Sequence, residues 1–389
     1  MGRRLSLIIV VGVLLHGYVG LRLIPALSDT AGAREALWSW LLLSCAVIIF
    51  GMRNRRGAAH GSRAVLTWAA LIAMGFFSLL LTSTVIRDLL LGGYWLASYL
   101  PFAWSRSVEG AQARVAVMHS SALCVVIVAV LALMKGVYNA RRRAPVVDVE
   151  IPIPNLPLAL DGFTIVQLSD IHVGPTIRKR YIDAIVDTVV SLNADLVAIT
   201  GDVVDGSVPN LQRHTAPLSR LRATHGVFLV TGNHEYYAGA DAWIAEFKRL
   251  GLRVLLNEHT VIRVGSDALV LAGVTDFSGE HFGPSHRSDP VQALDGAPES
   301  AALRVLLAHQ PRTGPAADAA GFDVQLSGHT HGGQIFPWNF AVPLQQPFTA
   351  GLVRCGEMWM YVSRGTGYAG PPVRFGAPSE ITRIRLVRR

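Results

Sequence analysis

The sequence is poor in charge. Only 16% of its 389 residues are Asp, Glu, Lys or Arg, against 51% hydrophobic ones. That balance is too apolar for an ordinary soluble protein and calls for a membrane portion. Cysteine is scarce as well: Cys45, Cys124 and Cys355 are the whole complement, with no CxxC spacing. Two lie in apolar runs and one stands alone, which leaves no basis for a disulfide framework or a thiolate metal site. Acidic residues are nearly missing from the first part. Residues 1–145 hold 15 Lys+Arg against 4 Asp+Glu, a balance of +11, while residues 146–389 hold 20 against 23, a balance of −3. The net charge of +8 therefore reports membrane topology and argues against a nucleic-acid surface. No internal repeat or low-complexity tract stands out.

What is present in the first part is a set of four apolar segments, roughly 5–27, 36–52, 64–86 and 115–137. Most reach the ~20 residues needed to span a bilayer. The second is the shortest, with Trp38 and Trp40 placed to anchor its start at the interface. Arginines mark the connections. Arg3 and Arg4 precede the first span, Arg53, Arg55, Arg56 and Arg63 lie between the second and third, and Lys135, Arg141, Arg142 and Arg143 follow the fourth. The other two connections are far less basic, with Asp29, Arg34 and Glu35 in one and Arg87, Asp88, Arg106, Glu109 and Arg114 in the other. By the positive-inside rule both termini are cytoplasmic, which predicts a multi-pass inner-membrane protein with a cytoplasmic catalytic half. A rival reading takes residues 1–27 as a cleaved signal, but the apolar stretch is long and Leu23-Ile24-Pro25-Ala26-Leu27 is a weak cleavage context. Inside the spans, Arg22 is placed to snorkel, and His16 and His119 read as hydrogen-bonded or interfacial, with no buried carboxylate evident to partner them.

The expected organisation is a transmembrane region over 1–140, a proline-punctuated linker over 141–159 and a soluble domain over 160–389. In that domain apolar runs alternate with helical patterns. Phe163–Leu168, Leu196–Ile199 and Val227–Val230 read as strands, and residues 178–193, 210–222 and about 240–250 as helices. Residues 259–276 read as a hairpin turning at Gly265-Ser266-Asp267, residues 277–300 as a polar loop, and Arg304–Ala308 as a strand. Residues 357–363 and 379–387 complete the set. The alternation predicts an α/β sheet, in which chemistry gathers at the carboxyl ends of strands.

Those ends carry polar clusters. Asp170 and His172 follow the first strand, Asp202 and Asp205 the second, Asn233 and His234 the third. His309 follows the strand at 304–308, and His329 and His331 sit in Ser327-Gly328-His329-Thr330-His331-Gly332-Gly333-Gln334. A mixed set of imidazole, carboxylate and carboxamide, without thiolate, suits a hydrolytic centre of Mn, Fe or Zn. Two metals sharing a carboxylate would lie ~3.5–4 Å apart and clamp both ends of a displacement at phosphorus. Other readings stand beside this one. Asp205 could cap the following helix, His281 and His286 read as loop surface, and Arg364 could touch a phosphate or form a salt bridge.

The motifs resemble those of the calcineurin-like metallophosphoesterases. D-x-H stands as Asp170-Ile171-His172, G-D-x-x-D as Gly201 to Asp205, G-N-H-[ED] as Gly232-Asn233-His234-Glu235, the lone histidine as His309, and G-H-x-H as Gly328 to His331. All five are complete and in order. The resemblance covers about 160–389, and its G-H-T-H-G-G-Q ending is similar to a bacterial subgroup with a preceding transmembrane region. It implies a four-layer fold, with two mixed sheets sandwiched between helices, and two divalent metal ions. Asp170, His172 and His331 would hold one metal, Asn233, His309 and His329 the other, and Asp202 both. His234 would be the general acid, oriented by Asp205, and a hydroxide bridging the metals the nucleophile. The implied activity is hydrolysis of a phosphate ester or pyrophosphate. A membrane anchor raises the effective concentration of lipid-borne substrate, so a phospholipid or nucleotide-linked lipid is the expected partner, as the resemblance to UDP-2,3-diacylglucosamine pyrophosphatases also implies. The competing expectations are a phosphodiesterase of small soluble nucleotides and a membrane scaffold or transport component with a vestigial esterase domain. No long nucleic acid is expected as partner, and nothing in the sequence sets an oligomeric state.

Overall fold

The computed structural model describes residues 2–53, 62–97 and 108–389. The chain divides into two compact units, residues 1–138 with 371–373 and residues 139–370 with 374–389.

The first unit is built from α1 (Gly2–Leu27), α2 (Ala31–Arg53), α3 (Ser62–Ala97) and α4 (Val108–Arg141). Among the described residues, these four helices are long and apolar enough to cross a membrane, over Ile9–Leu27, Ala31–Gly51, Ala64–Ala97 and Gln112–Arg141. One expectation needs correction here. The third span does not stop at 86, because α3 runs on through Arg87 and Asp88. Both charges are satisfied inside the bundle. Arg87 Nε donates to Ser121 Oγ at 2.8 Å and Nη2 to the Met118 carbonyl at 3.1 Å. Asp88 Oδ2 accepts from Tyr18 Oη and Arg22 Nε, each at 2.7 Å. Arg22 is thus paired, and a carboxylate does lie within an apolar helix, although it partners Arg22 and Tyr18 and not the histidines. Paired charges are tolerated in such helices where single ones are not. His16 Nδ1 lies 2.8 Å from the Gly12 carbonyl and His119 Nδ1 2.9 Å from that of Ala26. Arg55, Arg56 and Arg106, on which part of the charge pattern rests, lie outside the described residues.

In the second unit the strands β1 (Val146–Ile153) and β2 (Thr164–Leu168) are followed by helix α5 (Lys179–Ser191) and β3 (Leu196–Ile199). Helix α6 (Val208–Thr215), β4 (Val227–Leu229), α7 (Asn233–Ala238), α8 (Ala240–Arg249) and β5 (Arg253–Val254) come next. The chain continues with β6 (Glu258–Val264), β7 (Asp267–Gly273), β8 (Leu303–Leu307), α9 (Gly314–Ala319) and β9 (Val324–Ser327). It ends with β10 (Gly351–Cys355), β11 (Met358–Val362) and β12 (Ile381–Arg388). Two mixed six-stranded sheets result, in the orders β1-β12-β2-β3-β4-β5 and β10-β11-β9-β8-β7-β6.

The period-2 alternation of the strands explains the layers. Ile165, Leu196, Ala198 and Phe228 of the first sheet share one core with Leu271, Val305, Leu307 and Leu326 of the second. The opposite face of the first sheet, with Val166, Leu168, Val197 and Ile199, packs on Ile182, Val186, Trp243 and Phe247 of the helices. The far face of the second sheet buries Leu306 and Met360 with Ala317 and Phe322.

Three local expectations are revised. Residues 146–153 are not linker but β1, paired in parallel with β12 from Val146↔Ile381 to Ile153↔Arg388. Pro152 disguises the strand in the sequence, yet it does no harm at a sheet edge where one row of N–H groups is unpaired. The expected helix over 210–222 starts at Val208, ends at Thr215 and gives way to a 3-10 stretch over Ala216–Arg220, because Pro217 cannot continue an α-helical hydrogen-bond ladder. The hairpin partner β10 of β11 carries no clear alternation and escapes the sequence reading.

Candidate metal centre

Strands β2, β3 and β4 run parallel and adjacent, so Asp170, Asp202 and Asn233 leave neighbouring carboxyl ends. On the other sheet β8 and β9 are likewise parallel neighbours and deliver His309, His329 and His331. Asp170, His172 and His331 offer ligand atoms all within 4.8 Å of one another, and so do Asp202, His309 and His329. The separations are short: 3.0 Å between Nε2 of His172 and of His331, 3.4 Å from His331 Nε2 to Asp170 Oδ1, and 3.2 Å from His309 Nε2 to His329 Nδ1. Asp202 Oδ2 lies 3.2 Å from His309 Nε2 and 3.8 Å from His172 Nε2, between the two groups.

Asn233 is the residue that tests whether a cation belongs here. It is buried, and its Oδ1 has no hydrogen-bond partner. An orphaned buried carbonyl oxygen costs roughly 1–3 kcal/mol unless something binds it. The imidazoles agree with it. The Thr200 carbonyl lies 2.8 Å from His309 Nδ1, and Asp205 Oδ1 lies 2.7 Å from His172 Nδ1. Each acceptor takes the Nδ1 proton and leaves an Nε2 lone pair turned inward, the arrangement that orients metal-binding histidines. The donor set fits divalent metal ions.

The backbone is bent to make this site. Asp170, His172, Asp202, His329 and His331 all have φ between 53° and 71°. They are five of the nine non-glycine residues with positive φ among the described residues. Such conformations cost of order 1 kcal/mol or more each and persist where surrounding contacts enforce them. The enforcing contacts are visible. The His329 amide donates to both oxygens of Asp170, and Ser169 Oγ to Asp170 Oδ2 at 2.6 Å. The His234 amide donates to Asp202 Oδ1 at 2.8 Å. Gly328 permits the first of these approaches, since a Cβ there would collide with Ser169 Oγ and Asp170 Oδ2.

Asp205 faces the imidazoles of His172 and His234. Its Oδ1 accepts from Nδ1 of His172 at 2.7 Å and from Nδ1 of His234 at 2.6 Å, so one carboxylate orients both. Burial would raise Asp205, but His172 and then His234 hold it well below the usual carboxylate range. Asp202 is likewise lowered despite burial, chiefly by His309. Burial pulls His234 down, yet Asp202 and Asp205 raise it to about 9. His309 is raised well above its ordinary value by Asp202, against burial. Burial and then the His309 charge push His329 down to about 4, and burial and then Arg374 hold His331 well below the imidazole range.

Two residues that sequence reasoning gave no role complete the surroundings. Glu235 is fully buried and accepts from the amides of Gly232, Asp202, Val203 and Val204 at 2.7–3.2 Å. It clamps the Asp202 loop to the start of α7. Burial, then the Asp202 charge, raise it to about 7. Its position three residues after Gly232, at a helix start, was the available signal. Arg374 is fully buried, and Nη1 donates to the carbonyls of His331 and Arg364 while Nη2 lies 3.0 Å from His331 Nδ1. No motif marks it. Arg364 forms an ion pair with Glu380 at 3.1 Å. His281 and His286 stay apart from the cluster: His281 Nδ1 faces the Ser278 carbonyl, and His286 packs its ring 5.1 Å from Tyr236.

Comparison with known proteins agrees with this geometry. The calcineurin-like phosphoesterase family matches residues 163–333. A Danio rerio transmembrane protein with metallophosphoesterase domain is 40% identical over 290 residues, 72% of this chain and 66% of that protein. Its Bos taurus counterpart is 40% identical over 278 residues, 68% of this chain and 62% of that protein. The chain thus spans about two thirds of the length of these vertebrate relatives. An uncharacterized metallophosphoesterase of Campylobacter jejuni is 35% identical over 266 residues, covering 68% of this chain and 69% of its own length. With both sheets, the ligand-bearing strand ends and these relatives in agreement, the chain belongs to the calcineurin-like metallophosphoesterases.

Proposed function

We propose that the protein is a membrane-anchored, dimetal phosphoesterase that hydrolyses a phosphate ester or pyrophosphate of a lipid or nucleotide-linked lipid. The observation that carries the reading is the gathering of Asp170, His172 and His331, and of Asp202, His309 and His329, into two tight donor groups, together with a buried Asn233 Oδ1 that has no hydrogen-bond partner. Asp170, His172 and His331 would hold one divalent ion, Asn233, His309 and His329 a second, and Asp202 both. Such ions, Mn, Fe or Zn by donor type, would polarise the phosphoryl group and make water acidic enough to attack at neutral pH.

The chain's own residues supply the proton chemistry. His234 is partly exposed and points Nε2 to within 4.0 Å of Asp202 Oδ2, while Nδ1 is held by Asp205. Its raised pKa keeps the Nε2 proton in place at neutral pH, where it can be delivered to a departing alkoxide or phosphate oxygen. Asp205 takes the Nδ1 proton's hydrogen bond and so fixes the ring for that transfer. Glu235 and Arg374 act through others, by holding the Asp202 loop and the His331 turn.

We further propose a multi-pass inner-membrane location with the catalytic half in the cytoplasm, on the asymmetry of arginines between the connections. Reporter fusions after residues 30, 57 and 389 test it, and a C-terminal fusion active only on the outer side would overturn it. Activity is tested on the purified full chain with Mn²⁺, offered phospholipids, UDP-acyl-sugars and soluble nucleotides. Metal-dependent hydrolysis of a lipid substrate is expected, and Asp202→Asn should reduce it about a thousandfold, equivalent to the several kcal/mol that a lost metal withdraws. Equal turnover of soluble nucleotides would defeat the lipid preference. Cellular function retained by an inactive Asp202→Asn variant would favour a scaffold.

A further inference from the structure

Exposed aromatic side chains in the second unit are not scattered. Among the described residues there are six: Tyr237, Phe277, Phe282, Phe336, Trp338 and Phe340, between 39% and 71% exposed. All six lie on three segments that leave strand ends next to the metal centre. Tyr237 is on α7, which begins with Asn233 and His234. Phe277 and Phe282 follow β7, beside Asp276, whose carboxylate binds Gln310 Nε2 next to His309. The other three follow His331. Singly exposed apolar residues need no explanation, but a concentration around one site does.

The nearest of them border His234. The Tyr237 ring lies 5.4 Å from the His234 ring, and Phe282 lies 5.9 Å from Tyr237 and 5.5 Å from Tyr236. These rings therefore flank the His234 edge of the metal centre. They do not form a slot for a flat base. Tyr237 and Phe282 are inclined at 53° and Tyr236 and Phe282 at 37°, so the surface they offer is apolar and uneven. A flexible hydrocarbon chain can follow such a surface, whereas a planar base finds there no pair of parallel faces to lie between. The same chain carries four helices apolar enough to cross a bilayer, so acyl chains are the apolar partner that such helices would bring within reach.

We propose that Tyr237 and Phe282 form an acyl-binding shelf beside His234 at the metal centre, which holds the hydrocarbon part of a lipid substrate. This rests on the phosphoesterase reading above, and names where that substrate's apolar part is held. No bond is made or broken at the shelf.

The test uses the purified full chain with Mn²⁺, chromogenic p-nitrophenyl and bis-p-nitrophenyl phosphates as reporters, and n-alkylphosphonates from methyl to decyl as inhibitors. Phosphonates bind a metal pair whether the enzyme cleaves monoesters or diesters. The measured quantity is the ratio of inhibition constants for methyl- and decylphosphonate, which cancels any general loss of activity. The wild type should tighten about twofold for each added methylene, half the logarithmic gain of full burial. In a Tyr237→Ala/Phe282→Ala variant the ratio should fall at least tenfold. Both positions are exposed, and unchanged Mn²⁺ content verifies that the variant is intact. An equal ratio in wild type and variant overturns the shelf. So does a ratio that falls only in Trp338→Ala/Phe340→Ala, which puts the chain on another side, or UMP inhibition that weakens in the variant in place of decylphosphonate inhibition, which makes the occupant a base. Failure of the wild type to hydrolyse either reporter, or to bind methylphosphonate, would instead defeat the phosphoesterase reading itself.

Discussion

Asp205 is the residue on which most of the proposed proton chemistry turns, because one oxygen serves two imidazoles. Its charge, with those of Asp202 and Glu235, raises His234 to about 9. A histidine raised in this way is protonated below that value and loses its proton as pH climbs through it, so activity that needs the acid form should fall on the alkaline side. Replacing Asp205 by Asn removes one negative neighbour and lowers the His234 value. The alkaline limb of the rate profile should therefore move down by about one to two pH units. The rate at neutral pH should drop roughly 10- to 100-fold, as for lost outer partners of metal ligands. Because Asp205 also orients His172, metal content should fall in the same variant. An unshifted alkaline limb would show that another group sets it.

At the scale of elements, the candidate ligands converge because strand ends are bent. Gly328 is the clearest case, since β9 must turn directly against Ser169 and Asp170 after β2. Gly328→Ala should displace the Asp170 carboxylate while leaving the strands paired. A loss of about 100-fold in turnover is expected from such a misplacement, with one metal lost per chain on elemental analysis. Wild-type turnover in that variant would mean the loop relaxes without moving Asp170. Within the helical unit, the pairing of Arg22 with Asp88 links α1 to α3. The Arg22 side chain is 44% exposed and that of Asp88 18%, so the bundle encloses the pair only in part. A double-mutant cycle of Arg22→Ala and Asp88→Ala, followed by thermal unfolding in detergent, should give a coupling of roughly 1 kcal/mol. Additive effects would assign the pair no net role.

For the whole molecule, metal removal is the direct probe. The centre gathers carboxylates, imidazoles and an unpartnered carboxamide from both sheets, so a bound cation would tie the sheets together. Ligand binding to the folded state alone stabilises it by about 2.7 kcal/mol at a hundredfold excess over Kd. Chelation should therefore abolish hydrolysis and lower the unfolding temperature of the second unit, and Mn²⁺ should restore both. A chelated protein with unchanged unfolding temperature would indicate that metal and fold are uncoupled.

Much of this organisation is carried by local pattern. Apolar length alone marks the four helices, since a hydrocarbon layer imposes a minimum run. Period-2 and period-3.6 spacing mark the strands and helices that bring the clusters to strand ends, and residue type at those ends marks the metal chemistry. Other features depend on partners distant in the chain and leave no local trace. The charges of Arg87 and Asp88 look like a connection until α1 and α4 supply Arg22, Tyr18 and Ser121. Residues 146–153 look like a linker until β12 pairs with them, 235 positions later. The sharing of Asp205 by two imidazoles, the left-handed backbone of five candidate ligands, the Glu235 clamp, Arg374 behind His331 and the meeting of Tyr237 and Phe282 beside His234 all arise only when separate loops meet. Sequence by itself determined which elements form and which chemical groups they carry, because those follow from short-range spacing and residue type. Only the tertiary structure decided which groups share a proton, a bend or a surface, because those depend on distances that covalent connectivity does not set.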